Sequence, residues 1–381
     1  MASFKKKIIN ALFTLLLLII LVISFLVTPW GRPVGKTILL VPEVIPDFPI
    51  RPLKFFSREP TIEEVTLKVG DKDIKADLYK PNDNKTHPAI ILTLGVVVTR
   101  KDKVITNFAQ AISRLGFIVL VPDLPDFLSG FVWTDSVETM VSSVEYLEEQ
   151  DFVLQDKIGF AGFCVGASAS IIAAEDERIA DRVAFIAAIS PYYDLVSLSE
   201  AVVKRQSENE EGKLEMWEPA QLSVDSVRKG FINYVPDDEE KKTLENHFYN
   251  NLPLVDEDIE KLSYEGKQIR KFLEYSENKD SRNIWDGFPQ EGMNLLNQLS
   301  PKNRIDQLEA KLFILSDKQD TFVPRIEGNK FKENVTKDKF YFIEVDSFEH
   351  VNPSTNLKRW SVLKQLFYLS RYLYNVLSEA Y

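Results

Sequence analysis

The segment from Lys157 to Ile171, KIGFAGFCVGASASI, constrains the fold more than any other stretch of this chain, because a strand pattern changes into a helix pattern inside it. The change falls at Cys164, the only cysteine of the sequence, which stands between Gly162 and Gly166. Glycines two positions before and two positions after a tight strand-to-helix turn allow the strand and the helix to approach closely. Such a turn pushes the central side chain out above the edge of a sheet.

This placement makes Cys164 a candidate nucleophile. A thiol at the N-terminus of a helix beginning near Val165 meets the helix dipole and free N–H groups, which favour the reactive thiolate. The alternative is a buried structural cysteine that packs as a small hydrophobic residue. That alternative leaves the two flanking glycines unexplained.

Strands and helices are predicted to alternate along most of the chain. Continuous apolar runs typical of strands covered on both faces occur at 88–94, 117–122, 157–163, 183–190, 311–316 and 339–345. Helix-like segments separate them, and an amphipathic helix is expected from about Leu357 to Leu377. Two alternating segments, 61–69 and 73–80, predict an antiparallel hairpin across Gly70. The pattern predicts an α/β fold with a mostly parallel central sheet flanked by helices.

The alternation lapses between about 197 and 300, where the chain is highly charged and carries aromatic residues. One interpretation is a solvated helical insertion. The other is a helical cap over an active site, with some aromatic residues lining a pocket. Both are compatible, since a cap has a polar outer face and an apolar inner face.

An apolar run from Ile8 to Val27 follows Lys5, Lys6 and Lys7 and is long enough to cross a bilayer as a helix. The positive charges predict a cytosolic N-terminus and place the rest of the chain on the extracytoplasmic side. A cleaved signal peptide is the rival, but the run exceeds a usual signal core and no small-x-small motif follows it. The predicted organisation is a tip and membrane anchor at 1–30, an extended Pro-rich tether at 31–60, and one domain at 61–381 with the insertion.

Composition excludes some classes of function. A net charge of −11 over 381 residues argues against a nucleic-acid partner, which requires clustered basic residues. The sequence has no Gly-rich phosphate loop and no histidine pair at ligand spacing, so no metal or organic cofactor is predicted. Nothing in the sequence specifies the oligomeric state.

A cysteine nucleophile needs a base, and the sequence contains three histidines. His350 follows the last predicted strand and should lie at the carboxyl edge of the sheet with Cys164. His87 precedes its strand, and His247 lies in the charged insertion. His350 is therefore the candidate base, with an ordinary surface histidine as the alternative.

The imidazole in turn needs an acid to fix its tautomer. Asp317 and Asp320 follow the strand at 311–316, and both also suit a turn. The order nucleophile, acid, histidine is that of the α/β-hydrolase fold.

Four motifs, GFCVGAS, VPDLPDF, DTFVP and EHVNP, together resemble the dienelactone hydrolase branch of the α/β hydrolases, over residues 87–195 and 300–375. The resemblance implies that Asp320, three residues before a Val-Pro pair, is the acid. It also implies that the backbone N–H groups of Val96 and Val165 form the oxyanion hole.

The sequence thus predicts a membrane-anchored hydrolase that cleaves an ester, lactone or thioester through Cys164, His350 and Asp320, with a small-molecule or lipid-like acyl substrate. Two alternatives remain open. One is an inactive binding protein with the same fold, since Gly95 stands where dienelactone hydrolases carry a glutamate. The other is an acyltransferase whose acceptor is not water, such as a lipid.

Overall fold

The computed structural model describes residues 2–45, 48–275, 283–346 and 359–381. Within these ranges the strands are β1 (Thr61–Val69), β2 (Lys72–Lys80), β3 (His87–Thr93), β4 (Ile118–Pro122), β5 (Val153–Phe163), β6 (Val183–Ile189), β7 (Gln206–Glu208), β8 (Leu214–Met216), β9 (Lys311–Asp317) and β10 (Phe340–Val345).

The α-helices of the same ranges are α1 (Ala2–Leu26), α2 (Gly31–Val44), α3 (Leu53–Phe56), α4 (Lys103–Arg114), α5 (Pro125–Leu128), α6 (Thr134–Glu148), α7 (Val165–Ala174), α8 (Leu195–Lys204), α9 (Gln221–Tyr234), α10 (Asp238–Asn250), α11 (Asp256–Lys261), α12 (Tyr264–Leu273), α13 (Gln290–Gln298), α14 (Arg325–Asn334) and α15 (Arg359–Ala380). Two short 3₁₀ helices, Pro301–Asn303 and Ile305–Gln307, precede β9.

Eight of the described strands form one sheet in the order β1-β2-β4-β3-β5-β6-β9-β10. The pairs β1–β2 and β2–β4 are antiparallel, and each later pair is parallel. The hairpin predicted across Gly70 is confirmed, because this glycine takes a φ of +56° in the turn. The mostly parallel sheet is confirmed too. Its parallel strands end together at one carboxyl edge, where the loops after β3, β5, β6 and β9 converge.

Helices cover both faces of the sheet. One face packs against α6 and α7, whose buried apolar side chains include Met140, Val144 and Ile171. The other face packs against α2, α4 and α15, with Phe117 and Tyr372 fully buried among them. Because both faces are dry, the central strands carry the continuous apolar runs by which the sequence predicted them.

The prediction of an extended structure for the segment 31–60 is wrong. Residues Gly31–Val44 form α2 in spite of Pro42, and Leu53–Phe56 form the short α3. The side chains of Leu40 and Leu53 are 1% and 2% exposed. The Lys36 ammonium lies 3.3 Å from the centroid of the Tyr381 ring and donates to the carbonyl oxygen of Leu115. Apolar burial and these contacts hold the segment against the domain and stabilise a helix that the proline content did not predict.

The N-terminal apolar run is helical within α1, and its side chains from Leu12 to Ile23 are exposed. Among the described residues, no single helix meets the length and hydropathy expected of a membrane span. The pair Leu12–Leu26 and Gly31–Val44, bent by 100°, meets them together. The transmembrane helix at 8–27 stays a prediction.

The insertion predicted at about 197–300 is helical, as expected, and contains α9 to α13. We call residues 195–300 the cap, since α8 begins at Leu195. A small hairpin of β7 and β8 within it was not predicted. The cap has its own aromatic centre, where Phe231 stacks on Phe272 with ring centroids 4.5 Å apart and Trp285 packs beside them.

Candidate active site

Cys164 occupies the turn between β5 and α7, as the sequence predicted. Its backbone has φ +54° and ψ −130°, a conformation that residues with side chains rarely adopt and that costs roughly 1–3 kcal/mol. The turn is fixed by two hydrogen bonds. The Cys164 N–H donates to the Ile189 carbonyl oxygen at 2.9 Å, and the Ala167 N–H donates to the Cys164 carbonyl oxygen at 2.9 Å.

The two flanking glycines are required by close backbone approach. A Cβ at Gly162 would lie 2.5 Å from the Cα of Ala167, and a Cβ at Gly166 would lie 2.3 Å from the carbonyl oxygen of Leu94. Both distances are far below van der Waals contact. The start of α7 therefore packs directly on the loop that follows β3, which brings the two predicted oxyanion elements together.

The loop after β3 passes beside the nucleophile. A Cβ at Gly95 would lie 3.6 Å from the Cβ of Cys164, so this glycine stands next to the thiol. Val96 and Val165, the residues whose N–H groups are implied as oxyanion donors, are both buried and line the same cavity as Cys164. The backbones of Val96 and Val165 therefore lie at the same cavity as the Cys164 thiol.

The next residue, Val97, has a φ of +58°, which is an outlier for a β-branched side chain. Its N–H donates to the carbonyl oxygen of Phe127 at 2.8 Å. Further along the loop the buried Arg100 donates to Asp77 and, at 3.1 Å, to Asp123. The loop is thus anchored on both sides of its strained residue.

Sequence reasoning missed the support that α5 gives this loop. The buried Asp126 accepts hydrogen bonds from the N–H groups of Phe127 at 3.1 Å and Ser136 at 3.3 Å, and from the Ser136 hydroxyl. Burial raises the pKa of Asp126 to about 6, although these hydrogen bonds oppose the rise. The motif VPDLPDF contained the signal, because an acidic residue inside an apolar motif needs partners.

Asp320 lies in the loop beyond β9, at the carboxyl edge of the sheet. Its side chain is buried, and its Oδ1 accepts from the N–H groups of Phe322 at 2.7 Å and Val323 at 3.0 Å. Phe322 and Val323 both line the cavity that holds Cys164. Asp317, the competing candidate, is the last residue of β9 and pairs in register with Val345. Asp320 thus lies in the loop beyond β9, and its role as the acid stays a prediction.

His350 lies outside the described residues, so its role stays a prediction. The chain leaves β10 at the carboxyl edge, next to β9. The other two histidines have structural partners. His87, at the amino end of β3, contacts the Gly116 carbonyl oxygen at 3.0 Å and Asp83 at 2.7 Å. His247 contacts the Leu252 carbonyl oxygen and Glu274, each at 2.9 Å, within the cap.

A cavity of about 790 Å³ extends from Cys164, within the range of small-molecule sites. On one side it runs under the cap, where its walls are mainly the apolar side chains of Leu198, Val202, Leu222, Phe231, Phe288 and Leu295. On the other side it continues toward α2, α4 and α15. Of the cap aromatics noted in the sequence, Tyr234 lines the cavity, whereas Phe272 is buried inside the cap.

No protein-family model and no curated protein sequence matches the chain. Among solved structures, 2,6-dihydroxy-pseudo-oxynicotine hydrolase superposes with a TM-score of 0.51 at 14% identity, covering 84% of this chain and 68% of that one. The chain has the α/β-hydrolase fold. The usual chain order of this fold is nucleophile, acid, histidine. Cys164, Asp320 and His350 follow one another in this order in the sequence, and their roles stay a prediction.

Two further α/β-hydrolase structures are similar at a lower level. An acylaminoacyl peptidase has a TM-score of 0.49 and 12% identity, over 81% of this chain and 40% of that one. A dienelactone hydrolase from Anabaena variabilis has a TM-score of 0.33 and 19% identity, over 38% of this chain and 69% of that one. The fold assignment rests on the first of the three structures, and the dienelactone hydrolase branch stays a prediction.

The part of the chain that the structure describes contains no group of three or more His, Cys, Asp or Glu side chains placed to hold a metal ion. The expectation that the protein uses no metal or organic cofactor stays a prediction.

Proposed function

We propose that this protein is a membrane-anchored hydrolase that cleaves an ester, lactone or thioester, with Cys164 as the nucleophile. The observation that carries the proposal is the conformation of Cys164, whose positive φ places its side chain at the wall of an apolar cavity between a strand and a helix N-terminus. Backbone strain of this kind persists where the surrounding structure enforces it, and it concentrates at active sites. The acid and histidine follow in the order of the fold.

The reaction has two halves. The Cys164 thiol passes its proton to His350 and its sulfur attacks the carbonyl carbon, and the resulting oxyanion is stabilised by the N–H groups of Val96 and Val165. His350, oriented by Asp320, gives a proton to the departing alcohol or thiol as the carbon–oxygen or carbon–sulfur bond breaks. A water molecule then loses a proton to His350 and attacks the thioester, releasing the acid and restoring the thiol.

The membrane part of the proposal rests on the apolar run at 8–27 and the three preceding lysines. The N-terminus would then face the cytosol and the hydrolase domain would lie on the extracytoplasmic side. In sealed, right-side-out membrane vesicles, an external domain should be degraded by added protease. Protection of the domain in such vesicles would contradict the proposed orientation.

The catalytic assignment is tested with the full chain in detergent and a short activated thioester. We expect Cys164→Ala and His350→Ala each to lower kcat by at least about 10³-fold, because each group acts in the transition state. The matched control is His247→Ala, which removes a cap histidine and should retain wild-type kcat. Full activity in Cys164→Ala would overturn the assignment. An inactive wild-type chain that still binds acyl compounds would favour the binding-protein alternative.

A further inference from the structure

Large apolar side chains are exposed on the segment between α1 and β1. Trp30, Ile38, Ile50, Phe55 and Phe56 expose between 58% and 78% of their surface. Aromatic and aliphatic side chains are seldom clustered in contact with water unless they meet a partner or a membrane. We call this set, together with Phe48 and Val104, the N-terminal apolar patch.

The orientation of α2 indicates which partner covers the patch. In α2 the residues Gly31, Pro33, Thr37 and Leu40 are buried, whereas Ile38 is exposed, and the exposed Trp30 directly precedes the helix. The helix is bent by 100° from the apolar α1. If α1 crosses a bilayer, α2 lies nearly parallel to the membrane plane, as interfacial amphipathic helices do.

The cavity of the candidate active site extends to this same segment. Its lining includes Glu43, Val44 and Ile45 at the end of α2, and Arg51 and Lys54 next to the patch. The Arg51 guanidinium donates to the carbonyl oxygens of Pro42, Glu43 and Ile45, so it fixes the turn at this end of the cavity. One cavity therefore connects Cys164 with the end of α2, next to the N-terminal apolar patch.

We infer that the N-terminal apolar patch rests on the bilayer and that the substrate is a long-chain acyl ester or thioester of a membrane lipid, drawn into the cavity without crossing water. This inference rests on the proposed function. An acyl chain that had to pass through water would lose about fourfold in partition for every methylene group exposed. A cavity that opens at the membrane avoids this loss, and its apolar walls replace the lipid interior.

The first experiment uses the full chain reconstituted in phosphatidylcholine vesicles. It compares a long-chain fluorogenic thioester dissolved in the bilayer with a short, water-soluble thioester. We expect Phe55→Ser/Phe56→Ser to lower turnover of the long-chain substrate at least tenfold and to leave the short one unchanged, since neither side chain lines the cavity. The matched control, Leu214→Ser/Met216→Ser, changes two exposed apolar residues of the cap hairpin and should affect neither. Wild-type turnover of the long-chain substrate by the patch variant would overturn the inference, as would an equal fall on both substrates.

A second measurement does not depend on activity. In a Cys164→Ala background, Phe56→Cys is labelled with an environment-sensitive fluorophore and exposed to vesicles that contain a quencher attached to the lipid acyl chain. We expect strong quenching at Phe56→Cys and little at the control Met216→Cys. Quenching without thioesterase activity in the wild type would contradict the proposed function and support the membrane contact. Activity without quenching would contradict the membrane contact of the patch and leave the proposed hydrolase function standing.

Discussion

Cys164 is held in a strained conformation by neighbours that leave no room for a larger residue at the flanking positions. Gly162 and Gly166 each lie so close to another backbone that a single methyl group would overlap it. The strained backbone of Cys164 is therefore imposed by packing on both sides of the turn, and the two glycines allow this close packing.

This packing gives a prediction for Gly166→Ala. The added Cβ would overlap the carbonyl oxygens of Leu94 and Thr93, so the loop after β3 must shift. We expect a loss of about 1–3 kcal/mol in the free energy of unfolding, together with reduced hydrolysis. The control is Gly230→Ala in α9, where the nearest atom would be the Cβ of Phe131 at 3.8 Å. Denaturant titration of both variants makes the comparison, and equal stabilities would contradict the prediction.

A second prediction concerns Glu175, which follows α7 at the end away from Cys164. The residue is 2% exposed, and its Oε1 has no hydrogen-bond partner within the described ranges. Burial raises the pKa of Glu175 from 4.5 to about 9; Arg304 opposes the rise and Asp306 adds to it. The folded chain therefore binds a proton that the unfolded chain releases, and stability falls as the pH rises from about 4.5 to 9.

Glu175→Gln removes this titration. We expect the variant to lack the fall in stability over that pH window and to exceed the wild type by about 3 kcal/mol at pH 7, with little difference below pH 4.5. Glu177→Gln, an exposed neighbour, is the control and should follow the wild-type pH profile. Urea unfolding at pH 4, 6, 7 and 8 measures the slopes. Parallel wild-type and Glu175→Gln profiles would rule out a buried neutral carboxyl.

At the scale of elements, the short helix α5 supports the strained loop after β3. The Phe127 carbonyl oxygen accepts from Val97, and Asp126 holds the turn through Phe127 and Ser136. Asp126 is therefore a positioning residue for the predicted oxyanion donor at Val96. Asp126 does not line the cavity that holds Cys164, so its carboxylate would act through the intervening contacts.

We expect Asp126→Ala to lower kcat about tenfold with little change in KM, because a displaced oxyanion donor weakens the transition state more than the bound substrate. Asp126→Asn keeps an acceptor oxygen and should restore most of the rate. The control is Asp135→Ala, which removes an exposed carboxylate of α6 that pairs with Lys72. A drop in melting temperature with wild-type kcat in Asp126→Ala would assign this residue to folding alone.

At the scale of the whole molecule, the segment before β1 belongs to the domain. Leu40 and Leu53 are part of the core that covers one face of the sheet, and α2 packs along α15. Each of these leucines contributes roughly 1.5–3 kcal/mol by burial. An α/β-hydrolase-fold domain cut at Pro60 would therefore expose the apolar surface that α2 and α3 cover.

This predicts a difference between two truncated chains. A chain beginning at Thr28 should unfold cooperatively. A chain beginning at Pro60 should melt at a temperature lower by several degrees, because the apolar surface that α2 and α3 cover is then open to water. Thermal melts of the two chains measured in parallel test this, and indistinguishable melts would show that α2 adds nothing to the domain.

The sequence predicted the central sheet correctly because its strands are buried on both faces and therefore carry uninterrupted apolar runs, as in 117–122 and 183–190. It also located the turn at Cys164. Only glycine fits at positions 162 and 166, because a Cβ there would overlap another backbone, and this pair of glycines can be recognised in the sequence. The helix at 31–44 was missed because its stability comes from Leu40, Lys36 and the distant Tyr381, and local proline content outweighed those contacts in the pattern.

The amino-acid sequence by itself determined which residues follow the apolar strands: Cys164 in a glycine-flanked turn, then Asp320, then His350. Their catalytic roles stay a prediction. Local spacing records these features because each is built from neighbouring residues. The tertiary structure alone decided that Asp126 supports Val97, that the cavity continues past Cys164 to α2, and that the N-terminal segment joins the core. These depend on contacts between residues distant in the chain, whose energies leave no periodic trace in the sequence.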